Sequence, residues 1–172
     1  IFRQCFPLFL LMAQSAVAES AFVHPGLLHD REDLGRMKSA VAAKQEPTFA
    51  GYEKFRSSPA SQATYQMKGP FAEVGRNPNV HFGDYDADAN AAYQCAIMWC
   101  ITGERAYADK SKEIVNAWSA KLKAVSGRDA VLMAGLGPFK MVNAAEILRY
   151  TDSGWGEADI LQSERHFREV IY

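Results

Sequence analysis

Residues 86–124, DADANAAYQCAIMWCITGERAYADKSKEIVNAWSAKLKA, constrain the fold more than any other part of the chain. The first half places Ala91, Ala92, Tyr93, Ala96, Ile97, Met98, Trp99 and Ile101 on almost every side of a helix expected over 86–101. A helix apolar all round has to be covered by neighbours all round. Thr102-Gly103-Glu104 then makes a tight turn, with Gly103 suited to the left-handed position that closes a helix. The return helix, 105–124, turns Tyr107, Ile114, Ala117, Trp118 and Leu122 inward. So short a turn leaves an antiparallel α-hairpin as the only packing.

The flanking segments supply the cover. Asp30 is placed as an N-cap with Asp33 in the first turn, and Leu34, Met37 and Val41 form a helical stripe that Glu46-Pro47 ends. A second, shorter helix carries Phe49, Tyr52 and Phe55 and stops at Ser57-Ser58-Pro59. Residues 57–86 are rich in Ser, Pro, Gly and Asn and read as a long irregular connection. A third helix is expected from Ala130 to Tyr150, beginning loosely around Gly135-Leu136-Gly137 and becoming regular at Pro138. After a turn at Thr151–Gly156, a last helix runs through Ile160, Leu161, Phe167 and Ile171 to Tyr172. No strand pattern stands out, so the class is all-α.

Composition narrows the function classes. The chain has 172 residues, with 19 basic against 20 acidic, which is one domain without the positive excess of a nucleic-acid binder. Arg3, the apolar run Cys5–Met12 and Ala16-Val17-Ala18 read as a signal peptide over 1–18. That predicts a secreted protein, extracellular or periplasmic, with no membrane association after cleavage and a domain over 19–172. The first residue is Ile and the last helix has no closing signal, so the chain reads as truncated at both ends. Cys95 and Cys100 sit about 140° apart around one helix, too divergent to bridge each other. No Cys or His spacing suits a metal, and none is expected.

Three stretches, HPGLLHDREDLGRMK, GRNPNVHFGDYDADANAAYQCAIMWCITGERAYADKSKEIVNAWS and MVNAAEILRY, together resemble the N-terminal part of the alginate-lyase domain family. The most specific element is the ordered set Asp88, Ala92-Tyr93, Trp99, Thr102-Gly103, Tyr107-Ala108 and Asn116-Ala117-Trp118-Ser119, followed by Asn143-Ala144-Ala145-Glu146. The resemblance runs from about His24 to Trp155. It implies a secreted polysaccharide lyase acting on uronic-acid polymers such as alginate or glucuronan. It also implies a partial (α/α) toroid of antiparallel hairpins around a polysaccharide groove.

In that family the reaction is β-elimination and needs no cofactor. A neutraliser offsets the C6 carboxylate, a Tyr or His base takes the C5 proton, and an acid protonates the departing O4. The family's Asn/His and Arg/Tyr catalytic clusters fall further along the domain than Tyr172, so no catalytic residue is carried over here.

The candidate contacts to an anionic polysaccharide are Arg76, Asn77, Asn79 and His81 on the polar rim loop, and Asn143, which shares a helix face with Glu146. The loop residues also suit a solvated turn, and Asn143 and Glu146 also suit bonds to a neighbouring loop. His24 reads as part of an ordered N-terminal arm. Tyr85, expected in the loop, is the candidate for proton transfer. Trp99 and Trp118 read as core, and Asp84, Asp86 and Asp88 as charges at a helix start rather than a calcium loop. Two rival functions are an inactive or carbohydrate-binding helical module without turnover, and a protein-binding helical repeat. The repeat predicts a second copy at a period of about 34 residues, and the sequence holds none.

Overall fold

The computed structural model describes residues 22–172, so the signal peptide expected over 1–18 and Cys5 lie outside the described residues. The chain is mostly helical, as expected. In order it forms α1 (Arg31–Ala42), α2 (Thr48–Ser57), β1 (Glu73–Gly75), α3 (Phe82–Thr102) and α4 (Arg105–Lys121). There follow β2 (Ala124–Ser126), α5 (Ala130–Leu136), α6 (Pro138–Tyr150) and α7 (Glu157–His166), with a wider π turn at Phe167–Ile171.

The hairpin read from residues 86–124 is the centre of the fold. Tyr85, Ala89, Ala91, Ala92, Cys95, Ala96, Ile97 and Met98 of α3 are all buried. Its alanines let neighbours approach closely, and Ser111 of α4 donates to the Ala92 carbonyl at 2.7 Å. Gly103 closes α3 at φ 74 with its N–H on the Trp99 carbonyl, the left-handed cap the turn required. Asp30 caps α1 by accepting from the Asp33 N–H at 2.7 Å.

α6 lies along a second flank of α3 and runs the same way. Lys140 pairs with Asp86 at 2.7 Å near their starts, and Trp99 Nε1 donates to Thr151 at 3.1 Å near their ends. α4 and α7 both return: Asn116 donates to Asp159 at 2.9 Å, and the Ser119 and Ser163 hydroxyls meet at 3.1 Å. Two hairpins, α3/α4 and α6/α7, therefore stack side by side in one direction. The rest of α3 is covered by α1, by the turn at Pro59–Ser61, whose Ser61 hydroxyl donates to Gln94 at 2.7 Å, and by the arm through His29 and Tyr93.

Four expectations change. First, α3 starts at Phe82, four residues earlier than expected, so Tyr85 lies inside a helix. Second, residues 57–86 are not wholly irregular: β1 pairs in parallel with β2, Val74 opposite Val125. Three-residue strands are too short to show an alternating pattern, which is why the sequence hid them. Third, the helix over 130–150 breaks at Gly137 into α5 and α6, because Pro138 has no N–H to continue the ladder. Fourth, the last helix, expected to run to Tyr172, is regular only to His166 and widens into the π turn over Phe167–Ile171.

Among the described residues, 130–150 is the one helical stretch long and apolar enough to cross a membrane by length and composition. Its α6 half is core, with Met141, Ala144, Ile147 and Leu148 buried.

Asp88 has a different task from the helix-start charge it resembled. It is wholly buried and accepts from Tyr65 Oη (3.0 Å), the Lys68 and Gly69 N–H groups (2.8 and 3.0 Å) and Trp118 Nε1 (2.9 Å). This one carboxyl group ties the segment 65–69 onto the hairpin. A β-carbon on Gly69 would lie 2.2 Å from the Trp118 ring, so only glycine allows that approach.

Candidate functional site

The rim loop is built by backbone bonds between two chain segments. Gly75 and Val80 exchange N–H···O bonds of 2.7 and 2.9 Å, which folds Arg76–Asn79 into a tight turn. The β2–α5 connection clasps it: Arg76 N–H reaches Ser126 O (3.1 Å), Arg128 N–H reaches Asn77 O (3.0 Å), and Asp129 N–H reaches Arg76 O (3.2 Å). Gly127 makes the clasp possible, since it sits at φ 89 and a β-carbon there would lie 2.0 Å from Arg76 O.

The four loop candidates are thus brought together, but much of their polarity is used within the chain. Asn79 Oδ1 accepts the Phe82 N–H at 3.2 Å, serving the start of α3. His81, in the left-handed region at φ 51, stacks on Phe71 (centroids 3.6 Å, planes 9° apart) and lies 3.2 Å from Asp84. Asn77 satisfies the Arg128 guanidinium when its amide oxygen faces it. The Arg76 guanidinium lies 5.9 Å from the Phe82 ring centroid and has no ion-pair partner among the described residues.

Asn143 is engaged elsewhere, and Tyr85, whose N–H bonds to the His81 carbonyl at 3.0 Å, has its side chain buried in the core. Asn143 is 7% exposed, with Oδ1 accepting the Leu28 N–H (3.0 Å) and Nδ2 donating to Phe139 O (2.7 Å). One turn on, Glu146 Oε1 accepts from the Gly26 N–H (3.1 Å) and meets His24 Nδ1 at 2.7 Å. Asn143 is therefore an anchor for the N-terminal arm. Tyr85 is fully buried, edge-on to Trp118, and its hydroxyl has no partner among the described residues. Burial pushes that phenol well above the usual tyrosine range, so within the described residues it neither meets solvent nor gives up a proton.

A concavity lies elsewhere, along α1. One part, about 720 Å³, is wide and lined by Leu28, His29, Asp33, Arg36, Met37 and Gln45 among others. An adjoining part, about 250 Å³, is lined by Val41, Tyr52, Phe55, Tyr93, Ile97 and Ile101 with Gly51. His29, Met37 and Thr48 line both, so the two are halves of one cleft.

At the junction of the halves, His29 Nε2 and Tyr93 Oη are 2.6 Å apart, with their rings nearly parallel at 17°. Burial raises the Tyr93 phenol above its ordinary value, which keeps it a protonated hydrogen-bonding group at neutral pH. In the polar half Arg36 pairs with Asp33, and that bond holds the Asp33 carboxyl below the usual range.

Sequence reasoning did not single out His29. It stands in LLHD beside the Asp30 cap, and nothing local links it to Tyr93, 64 residues away. Both residues stand in the stretches that carry the family resemblance, but Tyr93 was read there only as part of the helix and His29 was given no role. No residues of the described chain form a group of three or more His, Cys, Asp or Glu able to hold a metal. Comparison of the chain with family models, with curated proteins and with solved structures found no match in any of the three.

Proposed function

We propose that this chain is the N-terminal section of a secreted polysaccharide lyase that cleaves uronic-acid polymers of the alginate or glucuronan type by β-elimination, and that its hairpins form part of an (α/α) toroid. One observation carries the reading: residues that make up the family resemblance bond to one another across the fold. Asp88 accepts from Trp118, His24 meets Glu146, and His29 meets Tyr93 at 2.6 Å. An ordered set of unlike residues that forms mutual contacts behaves as the signature of one architecture. The two hairpins stacked in a common direction suit the inner and outer layers of such a ring.

In this reading the rim loop meets the polymer. Arg76 is the group best placed to face a uronate carboxylate, because its guanidinium is in no ion pair among the described residues. The chemistry requires charge neutralisation at C6, removal of the C5 proton and protonation of O4, and no cofactor takes part.

The test is to incubate the chain with alginate or glucuronan and follow ultraviolet absorbance of the new C4=C5 double bond. Signal from a longer chain that contains these residues, reduced at least tenfold by Arg76→Ala, supports the reading. Absence of signal from every such chain on both polymers overturns it.

A second reading is a carbohydrate-binding module without turnover. The observation that favours it is the burial of Tyr85, which takes the one proton-transfer candidate of this segment away from any substrate. Retention on an alginate column with no unsaturated product would select it.

A further inference from the structure

The cleft along α1 has a property that a sugar site lacks. Its smaller half is walled by Tyr52, Phe55, Tyr93, Ile97 and Ile101, and the polar atoms at hand are the hydroxyls of its tyrosines and Thr48 and the His29 imidazole bonded to Tyr93. A pyranose ring carries a hydroxyl on most of its carbons, and burying it here would strand most of them without partners. A flat aromatic ring loses nothing by entering such a space and gains contact with three aromatic side chains. The volume of about 250 Å³ falls below the range of roughly 300–1,000 Å³ that accommodates drug-sized ligands. A single ring fits that limit better than a fused system or a polymer.

The His29–Tyr93 pair then decides what the ring should carry. If Tyr93 donates to Nε2, its oxygen is left to accept; if Nε2–H donates, the tyrosine hydroxyl is left to donate. A ligand hydroxyl satisfies either arrangement, because it both donates and accepts. A carboxylate satisfies only the second.

We propose that the apolar half of this cleft is a binding site for a simple phenol, one aromatic ring bearing a hydroxyl that bonds to Tyr93. This site is separate from the polyuronate reading and does not depend on it. His29 fixes the Tyr93 hydroxyl, and the wide polar half of the cleft gives access from solvent.

The experiment uses the full chain with 4-fluorophenol and fluorobenzene as probes, followed by fluorine NMR. 4-Fluorophenol should bind about tenfold more tightly than fluorobenzene, the factor expected of one net hydrogen bond. Tyr93→Phe should bring the two probes to within about twofold of each other while fluorobenzene binding persists. Gly51 lines the apolar half, and a β-carbon there meets nothing within 4 Å, so the longer side chain of Gly51→Leu should take up space in that half and weaken both probes. Leucine also favours the helix over glycine, so loss of binding in that variant would not come from unfolding.

Three results would overturn the proposal: no binding of either probe at millimolar concentration, binding unaffected by Gly51→Leu, or displacement of 4-fluorophenol by glucuronate at equal concentration. Because the probes are not uronates, failure here leaves the lyase assay unaffected, and failure of that assay leaves this one unaffected.

Discussion

Asp88 shows what one side chain can do at the centre of a helical hairpin. Four donors converge on its two oxygens, and none of the four has another acceptor among the bonds described. Asp88→Asn keeps the shape but turns an NH₂ group toward donors. It should lower unfolding free energy by about 3 kcal/mol, from two stranded buried donors at 1–2 kcal/mol each, read as a shift in the urea midpoint at unchanged slope. At this scale the sequence is partly transparent. The Asp30 cap, the Gly103 closure and the inability of Cys95 and Cys100 to bridge each follow from local geometry, and both cysteines are free. The role of Asp88 does not, because its partners at 65–69 and 118 meet it only through tertiary packing. His29 and Tyr93 were illegible for the same reason.

Among the elements, the clasp between the rim loop and the β2–α5 connection rests on Gly127. Gly127→Ala would strain a left-handed backbone and drive a β-carbon against Arg76 O. We expect a loss of about 1–3 kcal/mol in stability and faster proteolysis within 75–81. The short strands that bring these loops together escaped the sequence because neither element has a period of its own. Long periodic helices were read correctly in kind, and errors gathered at their ends, at Phe82 and at Gly137.

The end of α7 carries a second element-level consequence. His166 is 4% exposed, both ring nitrogens lack partners among the described residues, and its pKa is lowered to about 4, first by burial and then by the Lys123 charge. The folded state thus resists a proton that the unfolded chain accepts near pH 6.5. Stability associated with this group is complete above that value and falls as the pH drops toward about 4, by roughly 3 kcal/mol in all. Arg165, Glu169 and Lys123 share its surroundings. His166→Phe should flatten the part of the acid slope between pH 6.5 and 4 in urea titrations, and an unchanged slope would refute the assignment.

For the whole molecule, the arm and α6 form a latch. Glu146→Ala removes the acceptor of both His24 and the Gly26 N–H. We expect exchange of the Gly26 and Leu28 amides with deuterium to rise by about tenfold, with the α3/α4 hairpin unaffected. The sequence placed Asn143 and Glu146 on one face and His24 on an arm, and left open whether that face met the arm or a sugar. The structure places the arm there.

The latch joins residues 115 to 122 positions apart. Chains are made from the amino end, so the arm leaves the ribosome long before Asn143 and Glu146 exist to receive it. Until α6 appears, the Gly26 and Leu28 amides lack the Glu146 and Asn143 oxygens that serve them in the fold. The arm, made before every helix of the described fold, is therefore among the last parts to be fastened, and its docking reports that the α6 half of the fold has been completed.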